Sequence, residues 1–319
     1  MIYNGQTWLD TDGNPIHAHG GHMLRFGEYW YWYGEDRRED SYVSCYRSKN
    51  LQDWEYRGAV LSIHSHTAPM RIRSDLTLRR EAIDPTAECA ALNVTPPEKG
   101  KVNIERPKVL YCARTGQFVM WAHYENGQNY AAASACIATS DTPDGEFIYR
   151  GSFHPYGNMS RDCTLFLDDN GEAYFISSAR DNADLKIYRL TEDFMNVDEE
   201  VRTLFQGEHR EAPAVFKRNG DYIMLTSQCT GWLPNQGGFS ISKRIDGRWS
   251  LIENFGDETT FHSQPAFVLA LDDGRYIYVA DRWGGSGEAY FTSTYVMLEI
   301  QFTEDGWPYI EYSEEAALG

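Results

Sequence analysis

NGDYIMLTSQCTG, at residues 219–231, opens on an Asn-Gly pair and runs into alternating aromatic, aliphatic and small polar residues. Asn-Gly ahead of such a run signals a hairpin, because both residues tolerate the positive φ that a tight antiparallel turn requires. The pattern recurs as FGEYWYWYGED (26–36), TGQFVMWAHYEN (115–126), NGEAYFISSARD (170–181) and DGRYIYVADRWGG (273–285). Its turn glycines, Gly27, Gly116, Gly171, Gly220 and Gly274, are 89, 55, 49 and 54 residues apart. Each strand is followed by another and by a second turn, so each unit reads as a meander of about four strands. Radial repetition of four-stranded sheets leaves only short, protected edges. The spacing therefore predicts an all-β protein: a five-bladed β-propeller with four-stranded antiparallel blades, residues 1–319 forming one domain.

The long first interval implies an insertion at about 61–101, rich in His, Arg and Pro, with a short helix expected near 73–83 and the role of a rim loop. Composition agrees with a large core. Aromatic residues make up 14 % of the 319, including 21 Tyr and 9 Trp, which excludes intrinsic disorder. Acidic residues outnumber basic ones 47 to 29, for a net charge of −18. Such a chain gains nothing from a phosphate backbone or an anionic lipid surface, so nucleic acid and membrane are poor partners. No run of 18 apolar residues and no apolar leader is present, and the expectation is a cytoplasmic protein, or a secreted one if the chain has been trimmed. The six cysteines form no CxxC pair and read as buried free thiols.

The inner strand of a propeller blade lines the axis. Eight to eleven residues ahead of each turn glycine, a polar residue opens an apolar strand: His19, Glu105, Asp162, Glu211 and Gln264. Pro107, Pro213 and Pro265 follow closely, as suits an edge strand. Five residues in one phase of five repeats converge on one axis, and three of them are carboxylates. These acids are open to two uses: structural ion pairs with Arg106, Arg161 and Arg210, or catalysis. Two carboxylates flanking a bond are the usual equipment for glycoside hydrolysis, and a neighbouring charge such as Asp162 raises the pKa of an acid such as Glu211. Aromatic and polar residues close to the hairpins suit the apolar faces and hydroxyls of sugars. The expected substrate-binding set is His19, Tyr124, Asn182, Thr230, Trp232, Asn235, Arg282 and Trp283.

IERPKV (104–109), SRDCTLFLDDNGEAY, REAPAVFKRNGDYIMLTS, CTGWLPNQ, TTFHSQPAF and ADRW together resemble glycoside hydrolase family 43, most closely its exo-β-1,3-galactanase branch. The resemblance runs in order over nearly the whole chain apart from the insertion. It implies a five-bladed propeller and inverting hydrolysis. It also implies Glu211 as general acid, Asp162 as the carboxylate that tunes and orients that acid, and Glu105 as a further active-site acid that contacts substrate. Most of the family has an Asp at the start of blade one as base; this chain has HAHGG (17–21) there. In the galactanase branch a Gln is implicated instead, and the matching residue is Gln264, holding the water, with Glu105 as the alternative proton acceptor.

The resemblance thus implies release of galactose or short galacto-oligosaccharides from the β-1,3-galactan chains of arabinogalactan. Two other readings stay open: another family 43 activity, such as α-L-arabinofuranosidase or β-galactofuranosidase, and a non-catalytic sugar-binding propeller. The partner is an oligo- or polysaccharide. No cofactor is required, since carboxylates supply the proton transfers. No His or Cys set has metal-ligand spacing, though a structural cation at the axis is compatible with the chain.

Overall fold

In the computed structural model, residues 2–70 and 101–318 are described. The expected short helix near 73–83, most of the insertion and Cys89 lie outside the described residues.

Five antiparallel sheets of four strands follow one another along the chain. Blade one is β1 (His19–Phe26), β2 (Tyr29–Glu35), β3 (Ser41–Ser48) and β4 (Glu55–Ser62). Blade two is β5 (Asn103–Cys112), β6 (Gln117–Glu125), β7 (Ser134–Ser140) and β8 (Ile148–Phe153). Blade three is β9 (Cys163–Leu167), β10 (Ala173–Ala179), β11 (Asp184–Leu190) and β12 (Val197–Leu204). Blade four is β13 (Arg210–Arg218), β14 (Asp221–Gln228), β15 (Gly237–Ser242) and β16 (Glu253–Phe255). Blade five is β17 (Gln264–Ala270), β18 (Tyr276–Arg282), β19 (Thr294–Phe302) and β20 (Pro308–Ile310). Every turn glycine inferred from the repeat joins the first two strands of its blade, and all five have positive φ.

The first strands β1, β5, β9, β13 and β17 meet their neighbours around one ring, and β17 returns to β1. This is a five-bladed β-propeller. Its hydrophobic material divides into five clusters, each shared by two adjacent blades. A blade therefore leaves its apolar faces exposed unless both neighbours are present, which is why the ring must close. The blade five–blade one seam has an extra fastening. The Asn4 amide donates to Glu314 O at 2.8 Å, the Gly5 amide to Tyr295 O at 2.9 Å, and Trp8 packs beside Tyr295 and Trp32.

Four of the five inner strands carry an irregularity at their axial end: between His19 and His22, Glu105 and Lys108, Glu211 and Ala214, and Pro265 and Phe267. The extra residue takes positive φ at Gly20, Arg106 and Ala212. A bulge turns the side chain ahead of it out of the sheet's alternation, and in blades two, four and five it aims Glu105, Glu211 and Gln264 into one pocket.

Gly34, next to the blade-one end of that pocket, is required by close approach. A Cβ there would lie 1.9 Å from the carbonyl carbon of Ala18 and 2.2 Å from its Cα. Gly34→Ala must push β2 away from that segment. The expected cost is about 1–3 kcal/mol in urea denaturation, with lost activity because Glu35 moves too.

Candidate active site

A cavity of about 340 Å³ opens at the axis, and Glu105, Asp162, Glu211 and Gln264 all line it. Four of the five residues that share one phase of the repeat are thus brought together. Glu211 is the hub. Its Oε1 accepts from Gln264 Nε2 at 3.0 Å and its Oε2 from Asn182 Nδ2 at 3.1 Å. Burial, and then the charge of Asp162, push its carboxyl up to about 7, with Arg106 working in the opposite direction. Glu211 is therefore poised to hold a proton near neutral pH. Asp162 is held by the Ala212 amide at 3.1 Å and by Arg106 at 3.2 Å. The expected alternative, a structural ion pair, is real for Asp162 and Arg106. Glu211, by contrast, takes its hydrogen bonds from amides, while Arg210 bonds Thr226 at 3.0 Å.

Gln264 has its full complement of hydrogen bonds. Its Oε1 accepts from Arg106 and from Trp283 Nε1 at 2.8 Å, while its Nε2 donates to Glu211 and to Ser227 Oγ at 2.9 Å. Two donors on the oxygen fix the amide orientation and oppose any tautomer that would protonate that oxygen.

Glu105 sits in a chain of alternating charges. Its Oε1 accepts from Arg37 at 2.9 Å and Tyr130 Oη at 3.0 Å, and its Oε2 lies 3.3 Å from His123 Nδ1. His123 Nε2 is 2.8 Å from Glu125. Burial alone would raise the Glu105 carboxyl, but the hydrogen bond and charge of His123 and the charge of Arg37 outweigh it and hold it at about 2. Burial likewise works against a charged His123, yet its two glutamates push it up to about 10. Glu105, His123 and Asp162 bring one potential metal-ligating atom each within 4.8 Å of one another. Arg37 and Arg106 pair with the two carboxylates of this trio, and both ring nitrogens of His123 face glutamates.

The expected sugar-binding residues divide. Asn182, Trp232 and Trp283 line the pocket, with Trp232 edge-on to Trp283 at 5.4 Å between centroids. Asn235 and Arg282 instead line an adjoining cavity of about 420 Å³ across the two tryptophans. Thr230 serves a turn, donating to Leu233 O at 2.6 Å and accepting from Asn235 at 2.7 Å. Tyr124 is corrected: it is 0 % exposed and packs in the core between blades one and two, because strand alternation on β6 sends His123, not Tyr124, to the pocket. His19 is corrected as well. It is 0 % exposed, 3.0 Å from Asp281 and stacked on Tyr295 at 4.8 Å, and it is absent from the lining.

Glu35, Arg37, Tyr130, Arg161 and Cys229 line the pocket without having been expected there. Glu35 and Cys229 occupy or follow the ends of second strands β2 and β14, the same place from which Trp283 was read in blade five. Extending that rule to GED (34–36) would have found Glu35. Cys229 is only half-buried, unlike Cys45, Cys112, Cys136 and Cys163, which are buried free thiols as expected.

Three comparisons bear on this geometry. The model for "Glycosyl hydrolases family 43" matches residues 109–308. Among solved structures, an exo-β-1,3-galactanase from Clostridium thermocellum is 45 % identical over 98 % of this chain, with a TM-score of 0.83. This chain spans 65 % of that protein's length. A family 43 β-1,3-galactosidase with galactodeoxynojirimycin is 31 % identical, TM-score 0.84, covering 98 % of this chain and 99 % of its own. An exo-β-1,3-galactanase from Phanerochaete chrysosporium, a variant with β-1,3-galactotriose, is 31 % identical, TM-score 0.82, over 98 % of this chain and 67 % of its own. The search of the curated proteins returned no match.

Proposed function

Since the chain belongs to glycosyl hydrolases family 43, we propose that it is an exo-acting β-1,3-galactanase that hydrolyses with inversion and releases galactose or short galacto-oligosaccharides from the β-1,3-galactan of arabinogalactan. The observation that carries this reading is Glu211. It is a carboxyl pushed to about 7 by burial and by Asp162, aimed by Gln264 and Asn182 into a pocket walled by Trp232 and Trp283. Its similarity to galactan-cleaving proteins at 31–45 % identity supports the choice of sugar.

In this mechanism Glu211 protonates the leaving glycosidic oxygen while water attacks the anomeric carbon from the opposite face. Asp162 keeps Glu211 protonated in the resting enzyme. Arg106 holds Asp162 and Gln264 in register with the acid. Glu105, as a low-pKa carboxylate, accepts hydrogen bonds from sugar hydroxyls. The apolar faces of Trp232 and Trp283 receive the ring. No metal takes part, because each proton transfer has a carboxyl at hand.

The test is incubation with β-1,3-galacto-oligosaccharides and a panel of aryl glycosides, following products by chromatography and the new anomer by NMR. Galactose appearing first as the α-anomer is expected. Initial β-anomer overturns inversion. Cleavage confined to arabinofuranosides or galactofuranosides overturns the substrate, and sugar binding without turnover overturns the enzyme.

A further inference from the structure

Of the five axial positions, blade one's is the one that brings neither an acid nor an amide to the pocket, since His19 turns away to Asp281. The register of β1 and β2 pairs His19 directly with Glu35. The second strand thus delivers a carboxylate at the height where the first does not, and Glu35 lines the same cavity as Glu211. We infer that Glu35 is the general base, accepting the proton of the water that attacks the anomeric carbon. This rests on the inverting glycosidase reading above.

Inversion needs a proton acceptor across the sugar from Glu211, and the two expected ones are poorly suited. Gln264 is a neutral amide whose two N–H groups and two acceptor positions are all taken, leaving nothing with which to hold a water. Glu105 is a carboxylate, but a base held at about 2 has little affinity for the proton it must receive. Glu35 differs. It is 3 % exposed, and burial raises its carboxyl, in the same direction as Glu211.

The groups facing Glu35 come from four elements. Arg37, on the loop after β2, lies 3.2 Å from its Oε1. Glu105 on β5 adds a like charge that raises Glu35 further, while Tyr290 and His19 lower it. Arg37 is divided between the two carboxylates, 3.2 Å from Glu35 and 2.9 Å from Glu105, and its guanidinium lies over the Tyr290 ring at 4.4 Å. One guanidinium serves two acids here. It opposes the rise that burial and Glu105 impose on Glu35 without giving it the full set of donors that lowers Glu105.

The step balances. A lone pair of the water oxygen forms the new bond to the anomeric carbon, and the electrons of the glycosidic bond leave with the oxygen that Glu211 protonates. The proton released by the water passes to Glu35. Glu35 and Glu211 then return to their starting states by exchange with solvent.

Kinetics of Glu35→Gln, Glu35→Ala and Glu105→Ala on a β-galactoside, with and without sodium azide, test the assignment. Glu35→Gln is nearly isosteric and should keep its melting temperature, yet kcat should fall by about 10³-fold with little change in KM. The acidic limb of its pH profile should vanish while the basic limb set by Glu211 stays. Azide needs no base, so it should restore turnover in Glu35→Ala and give the α-galactosyl azide. Should Glu35→Ala not fold, Glu35→Asp replaces it, with a residual rate and a shifted acidic limb expected. The inference is overturned if Glu35→Gln stays within tenfold of wild type, if only KM rises, or if azide rescues Glu105→Ala instead. Wild-type turnover with retention would overturn the inverting reading and the assignment together. Turnover of a different glycoside would revise only the substrate, and the same variants would be assayed on it.

Discussion

Glu211→Gln should lower kcat on β-1,3-galactobiose by about 10³–10⁴-fold, the range expected when a positioned general acid is lost. The same variant should lose far less on an aryl galactoside with a strongly acidic phenol, because that leaving group departs without protonation. This contrast separates a missing acid from a damaged pocket. In the wild type the acid must carry its proton, so activity should fall as pH rises through about 7. Asp162→Asn removes the charge that, after burial, raises Glu211, and its basic limb should therefore move to lower pH. Stability gives a second readout. Glu211 binds its proton more tightly in the fold than in the unfolded chain, so its contribution is complete below the ordinary carboxylate range and is lost as pH rises through about 7. Glu211→Gln escapes that loss and should melt higher than wild type above neutral pH.

Arg106→Met should be the most damaging change to stability. Arg106 is 4 % exposed and its guanidinium serves three partners: Asp162 at 3.2 Å, Pro265 O at 2.7 Å and the Gln264 oxygen. Removing one member of a buried ion pair strands the other, at a cost of about 3–5 kcal/mol. Urea denaturation should show that loss. Arg106 also opposes the upward shift of Glu211, so the basic limb of any remaining activity should extend to higher pH. Arg106→Lys keeps the charge but not the planar fork that spans Asp162, Gln264 and Pro265. It should recover part of the stability and little of the rate.

The fold was legible because a propeller repeats one sentence, and the turn glycines mark each repetition. The three acids and the amide of the site were legible for the same reason: Glu105, Asp162, Glu211 and Gln264 share a phase. What failed was direction. Tyr124 and His123 are adjacent on β6, and motif reading selects the aromatic ring over its neighbour although the strand period sends them to opposite faces. His19 has the right phase, but a buried Asp281 on β18 captures it, and a contact between residues 262 positions apart leaves no local trace. Glu35 is not reached from the phase of the first strands, because blade one brings its acid on the second. Arg37 and Tyr130 are reached from loops, where no periodicity exists to place them. Asn235 and Arg282 were read as part of one rim, but Trp232 and Trp283 divide that rim into two cavities.

The bulges in the inner strands separate two sets of demands on the sequence. Beyond the bulge, each strand must obey the alternation that fills the seams between blades. Ahead of it, a side chain is released from that alternation and takes its partners at the mouth, as Glu105 does from Arg37, Tyr130 and His123. Histidine, glutamate and glutamine all occupy that place, in blades one, two, four and five, on strands that otherwise pair alike. The residues Glu105, Glu211 and Gln264 are thus held by the frame without being part of its seams. A substitution at one of them falls on the chemistry of the mouth and leaves the apolar seam clusters as they stand.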